Sequence, residues 1–188
     1  MELLIVGLIV FFGMHLVPSI PSLKKSLSSK LGANGYKAVF ALVSLFGLVL
    51  IVLGYQQKPL LSLPEWTAPH WARHVAMLAV LIAFILLPAA HMKGNIKRFT
   101  RHPMLWAIVL WSSTHLWLNG DRASILLFGS FLVYSLFAMM SANARGAKKQ
   151  SKRYPLKNDI IVVVAGTVVY AVVLFSHKWI AGVPLINA

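Results

Sequence analysis

Histidine is the residue type in this chain with the greatest capacity for chemistry: there are seven, against four Asp+Glu and no Cys. Without cysteine, disulfides, thiolate metal sites, thiolate-ligated haem and a Cys nucleophile are excluded. The carboxylates Glu2, Glu65, Asp121 and Asp159 lie at the ends of apolar runs rather than within them. Paired-carboxylate hydrolysis and carboxylate metal cages therefore have no basis, and Asp159 reads as a charge placed at a helix start, where the dipole favours it. No Gly-rich phosphate loop and no serine elbow is present. His15 and His115 fall inside long apolar runs, where an ionisable group is costly and marks function by default. A lone intramembrane histidine is satisfied by one hydrogen bond to a neighbouring helix. Two of them, in a chain without buried carboxylates, point instead to a metal or haem, because a neutral imidazole suits haem iron. His74, His91 and His102 are secondary candidates near helix ends, and His70 and His177 read as solvated loop or interface residues.

The elements that carry these histidines are transmembrane helices. Of the 188 residues, 59% are hydrophobic and only 12% charged, against roughly 45–50% and 25% in a soluble domain. Several apolar runs reach the ~20 residues that span hydrocarbon as a helix. The expectation is an all-α, polytopic membrane bundle of about six helices forming a single domain over residues 1–188. The segments read as Glu2–Val17, Tyr36–Tyr55, Trp71–Ala90, His102–Gly120, Arg122–Met140 and Asp159–Ser176, with a loose tail from Gly182. A turn at Gly32-Ala33-Asn34-Gly35 precedes the second helix, and Pro88 is placed to kink the third. The start Met1-Glu2-Leu3-Leu4 lacks the basic region of a cleaved signal, so the first helix reads as retained. Gly7, Gly13, Gly47 and Gly54 are assigned to helix packing. Ser141–Asn158 is the one candidate linker, too short and basic to be a domain.

Loop charge gives an orientation. Lys24, Lys25, Lys30 and Lys37 follow the first helix; Lys93, Lys97, Arg98 and Arg101 follow the third; six more follow the fifth, between Arg145 and Lys157. Only Lys58, Arg73, Arg122 and Lys178 fall on the other side. Such alternation is what the positive-inside rule demands, and it places both termini outside, in the periplasm of a bacterial inner-membrane protein. Tyr55, Trp66, Trp71, Trp117 and Trp179 then gather at the outer interface as an aromatic belt. The net charge of +14 is spread between apolar runs, so the partner it implies is membrane lipid rather than nucleic acid. Depth constrains the histidines. At 1.5 Å per residue, His115 lies about 20 Å from the inner face and His15 on the order of 10 Å. By depth alone His15 groups with His91 and His102, and His74 with His115.

One segment is more specific than the rest: Arg101-His102-Pro103-Met104-Leu105-Trp106, then Leu110-Trp111, His115-Leu116 and Asn119-Gly120-Asp121. Together with Gly13-Met14-His15-Leu16-Val17-Pro18-Ser19, it resembles the NnrU family, and the likeness extends over essentially the whole chain. The resemblance implies a role in nitric-oxide and denitrification metabolism. A plant and cyanobacterial relative of that family, 15-cis-zeta-carotene isomerase, is a haem b membrane enzyme with redox-controlled bis-histidine ligation. By motif position its ligands fall on His15 and His115. It carries a cysteine where this chain has Ser112, which separates haem binding from the isomerase's redox switch.

The implied function is haem b-dependent, nitric-oxide-linked redox chemistry in the inner membrane, with isomerase-like action on a small apolar substrate as a secondary form. The alternative is a non-enzymatic membrane factor that supports assembly or maturation of a respiratory reductase. A small transporter is a third reading, for which Ser112, Ser113, Thr114 and His115 are nearly the only polar groups along a path. The Arg-His-Pro turn also resembles isoprenylcysteine and phospholipid methyltransferases. Those enzymes continue into an acidic stretch, whereas Ala144–Tyr154 here is basic and lacks Glu and Asp.

Overall fold

The computed structural model describes residues 1–57, 64–183 and 185, so Lys58 and most of the tail after Val183 lie outside the described residues. The described residues contain seven α-helices and no strand: α1 Glu2–Leu16, α2 Pro21–Gln56, α3 Ala72–His91, α4 Ile96–Phe99, α5 Pro103–Leu118, α6 Arg122–Ala144 and α7 Leu156–Ala181. Prolines set several of the starts. Pro21 and Pro103 occupy first-turn positions, where the missing N–H would have had no helical partner. Pro155 caps α7 at one end, and Gly182, with φ 75°, closes it at the other.

The expected helices are all present, with two differences. The basic stretch after the first helix is itself helical: α2 begins at Pro21, and only Gly32 leaves helical geometry, with φ 71° and ψ 165°. The four-residue turn expected there is thus a single-residue break. The loop after α3 likewise contains the short helix α4. Five helices are long and apolar enough to cross a membrane: α1 with its 3-10 extension to Ser19, α2, α3, α6 and α7. The fourth expected span, α5, has 16 residues, about 24 Å of helix against a hydrocarbon core of about 30 Å. The chain fits a membrane protein: among the described residues, five helices meet the length criterion and α5 is shorter.

By contact, the chain divides into two compact units, Met1–Glu65 with Asp121–Ser130, and Trp66–Gly120 with Phe131–Ala188. The division falls within α6, whose first turns belong to the first unit.

In the first unit α1 and α2 run antiparallel at close range. A Cβ on Gly7 would come within 2.6 Å of the Ile51 nitrogen, and one on Gly47 within 2.8 Å of the Phe11 nitrogen. One on Gly54 would run into the Leu4 backbone. Three glycines thus let two backbones touch, the device membrane helices use where lipid removes the hydrophobic drive between them. Gly13 is the exception, with nothing within 4 Å. At the far end of α2, the Tyr55 hydroxyl lies 2.8 Å from Ser124 Oγ, which itself donates to Asp121 Oδ2 at 2.6 Å. Asp121 Oδ1 accepts the Ser124 N–H at 3.0 Å and so caps the start of α6.

In the second unit α3 packs against α5 and α7. Gly166 admits the backbone of Phe84 and Ile85, and the Phe84 and Tyr170 rings meet edge to face at 5.9 Å. Trp66, Trp71 and Trp117 of the expected aromatic belt gather. Trp66 Nε1 donates to the Trp117 carbonyl at 3.1 Å, and the Trp71 and Trp117 rings lie 5.5 Å apart. At the lysine-rich end a polar clasp closes the unit. Asp159 accepts from the Asn95 backbone N–H and side-chain Nδ2, both at 2.6 Å. Asn95 also exchanges two bonds with the Tyr154 backbone, at 2.8 and 2.9 Å. Asp159 therefore does more than sit at a helix dipole: it ties the α3–α4 loop to the start of α7.

Candidate histidine site

His15 sits in the last turn of α1, half-buried. Its Nδ1 lies 2.8 Å from the Phe11 carbonyl oxygen, one turn back. A carbonyl can only accept, so Nδ1 carries the proton, and in the neutral ring Nε2 carries the lone pair. The Phe11 ring stacks on the imidazole at 4.0 Å and 24°, and Phe40 of α2 meets it at 5.0 Å and 60°. One hydrogen bond and two aromatic faces fix the ring.

His115 of α5 repeats the arrangement in the second unit. It is half-buried, and its Nδ1 lies 2.8 Å from the Trp111 carbonyl. The Trp111 ring stands 5.2 Å away and is held in turn by Phe131 at 5.5 Å. The same tautomer follows, with the lone pair on Nε2. Within each unit, one imidazole therefore spends its Nδ1–H on its own helix, an arrangement that fixes the orientation of a histidine ring.

The polar residues beside His115 turn inward. Ser112 is fully buried and donates to the Ile108 carbonyl at 2.6 Å, while Thr114 donates to Leu110 at 2.7 Å. Back-bonding of this kind satisfies a hydroxyl within its own helix. Neither side chain lines a polar path, so a transport route through them gains no support.

The remaining candidates separate by environment. His102 Nε2 lies 3.0 Å from Asn143 Oδ1, and Arg101 Nη1 donates to the same oxygen at 3.1 Å. Because Arg can only donate, that atom is the amide oxygen, and His102 must donate from Nε2. Its tautomer is opposite to that of His15 and His115, and it pins the start of α5 to the end of α6. His74 and His91 are exposed. Among the described residues, no three His, Asp or Glu side chains form a metal-binding group. His177, assigned from sequence to a solvated interface, donates from Nδ1 to the Val183 carbonyl at 2.7 Å.

The rest of the signature segment is structural. Asn119 Nδ2 donates to the His115 carbonyl at 2.8 Å and closes α5. Gly120 admits the Trp66 backbone, and Asp121 caps α6. The sequence reading passed over Asn143 and Tyr36. Asn143 lies in a small-residue stretch with no motif to mark it. Tyr36 reads only as a span boundary, yet its hydroxyl is buried with no hydrogen-bond partner among the described residues, one turn from Phe40 on α2, as is Ser44 Oγ one turn beyond. Unpartnered buried hydroxyls are uncommon, and each calls for an explanation.

No curated protein and no solved structure is significantly similar to this chain. The sequence profile described as NnrU protein matches residues 3–185 of the 188. The match includes both histidine segments and every helix, and the chain belongs to the NnrU family.

Proposed function

We propose that this membrane protein binds haem b through the Nε2 atoms of His15 and His115, and that it serves nitric-oxide- and denitrification-linked redox metabolism in the bacterial inner membrane. The observation that carries the proposal is the shared tautomer. Both histidines spend Nδ1–H on the carbonyl four residues back, at 2.8 Å, and present the lone pair at Nε2. Neutral nitrogen ligands of this kind match haem iron. The Tyr36 hydroxyl adds a second point of fit. It is a buried donor with no partner among the described residues, on the helix face whose Phe40 touches His15, and a haem propionate is a carboxylate able to accept from it.

Bound haem would supply one-electron exchange. The chain's part is to hold both imidazoles in one tautomer, to flank them with the Phe11, Phe40 and Trp111 rings, and to keep water away from them. Isomerase-like chemistry gains nothing from Ser112, whose hydroxyl is committed to the Ile108 carbonyl.

The test is an absorption spectrum of the full chain, purified in detergent after expression with haem supplied. A Soret band that His15→Ala and His115→Ala each alter, and that both together abolish, is the expected result. Absence of the band refutes haem binding and leaves the assembly-factor reading, whereas its survival in the double variant refutes ligation by His15 and His115. His177→Ala leaves the band in place if the ligand pair is His15 and His115. Loss of the band in that variant alone moves the second ligand to His177.

A further inference from the structure

We infer that residues 21–31 form an interfacial helix that lies on the lysine-rich face of the membrane and holds anionic phospholipid headgroups, with Gly32 as its hinge. The backbone separates this segment from the span that follows, because Gly32 alone has φ 71° and ψ 165° within an otherwise continuous helix. Both of its ends are pinned. Upstream, α1 and its 3-10 extension end at Ser19; downstream, the apolar part of α2 resumes with the buried Tyr36. A short helix joined at both ends to spans emerging on the same face must run along that face.

Side-chain placement suits a membrane surface. At 100° per residue, Leu23, Leu27 and Leu31 fall in one stripe about 80° wide. Leu23 at 41% and Leu31 at 45% are exposed in the folded chain, as is Ile20, the extended residue just before the helix, at 47%. Lys24 and Lys30 flank the stripe, about 60° to either side of its centre, while Lys25 and Ser22, Ser26, Ser28 and Ser29 occupy the opposite face. Lysines at the polar–apolar border lay their methylenes along the apolar zone and carry their ammonium groups to headgroup level.

Charge selects the occupant. No carboxylate lies between Glu2 and Glu65, and the whole chain sets 4 acidic residues against 18 basic ones, so counter-charge for these lysines comes from outside. A second copy of a chain with net charge +14 would be repelled. Anionic lipid supplies both the charge and an apolar layer at the depth of the leucines, and each lysine near such a surface strengthens binding about fivefold.

The lack of native cysteine permits single-site spin labelling of the full chain in lipid nanodiscs. Leu27→Cys reports the stripe and Ser29→Cys the opposite face. In phosphatidylcholine with phosphatidylglycerol, the label at 27 is expected to be accessible to oxygen and shielded from a water-soluble nickel chelate, and the label at 29 the reverse. Replacing the anionic lipid with phosphatidylcholine, or Lys24, Lys25 and Lys30 with Gln, moves the label at 27 toward water. Equal nickel accessibility at both positions in anionic discs overturns the inference, as does a label at 27 shielded from both reagents, which would place it against protein. A response at 27 that ignores lipid charge and the lysines overturns the headgroup assignment. Since both labelled positions lie outside the tight α1–α2 contact, folding is checked by an unchanged size-exclusion profile; a variant that fails it is replaced by Leu23→Cys with Ser22→Cys, read against the same outcomes.

Discussion

Gly7 and Gly13 share one helix, yet the same substitution is expected to act on them with opposite sign. A Cβ on Gly7 would lie 2.6 Å from the Ile51 nitrogen and 2.9 Å from the Leu50 carbonyl carbon, against roughly 3.5–4.0 Å for an unstrained contact. Both obstacles are backbone, so no rotamer change relieves them and the α1–α2 pair must part by about 1 Å. A gap of that size forfeits about a quarter to a half of each contact's attraction. The loss extends along the pair, since Gly47 with Phe11 and Gly54 with Leu4 belong to the same seam. Overpacking of this kind costs about 1–3 kcal/mol, and the better helix propensity of alanine returns up to about 1 kcal/mol. Gly7→Ala should therefore destabilise by about 1–2 kcal/mol, which lowers Tm by roughly 2–8 °C. Gly13 has nothing within 4 Å, so Gly13→Ala keeps only the propensity gain and should leave Tm unchanged or raised. The assay is thermal unfolding of both variants and the parent in one detergent, followed by tryptophan fluorescence. A Gly7→Ala protein as stable as the parent, or a Gly13→Ala protein equally weakened, would refute the backbone-contact reading.

Three further outcomes follow from particular contacts. Asp159→Ala removes the acceptor for two Asn95 donors, so the basic stretch 145–157 should open; trypsin added to the detergent-purified chain is expected to cut there faster than in the parent, and an unchanged rate argues against the clasp. Asn143→Ala removes the oxygen shared by Arg101 and His102. Because that contact is exposed, the loss should stay below about 1 kcal/mol, read as a small fall in Tm with any Soret band intact; a lost band would make His102 a ligand. Tyr36→Phe deletes a buried hydroxyl that has no partner among the described residues. If the hydroxyl meets a haem carboxylate, the variant should lose haem faster to apomyoglobin and shift the haem midpoint potential, whereas unchanged retention and potential with higher stability would mark it as merely unsatisfied.

What the sequence determines here is what depends on runs and on counting. Apolar length, prolines at the helix starts and alternating loop charge follow from local chemistry against a bilayer, so the long apolar helices and their order were legible. The histidines were legible too, since an imidazole in an apolar run is conspicuous without coordinates. Three features came from tertiary structure. The helicity of residues 21–31 was hidden because a serine- and lysine-rich stretch running into Gly32 reads as loop, whereas the backbone breaks at Gly32 alone. The division of roles within the signature segment was hidden because spacing does not show partners: Asn143, some 40 residues away, turns His102 into a clasp, and only the Trp111 carbonyl fixes which nitrogen of His115 holds the proton. Finally, composition could nominate four glycines for packing, but only the antiparallel register of α1 on α2 decided that Gly7, Gly47 and Gly54 meet backbone while Gly13 meets nothing. Which side of a helix faces a neighbour depends on the neighbour's position, and that is set by the packed structure rather than by any local run of residues.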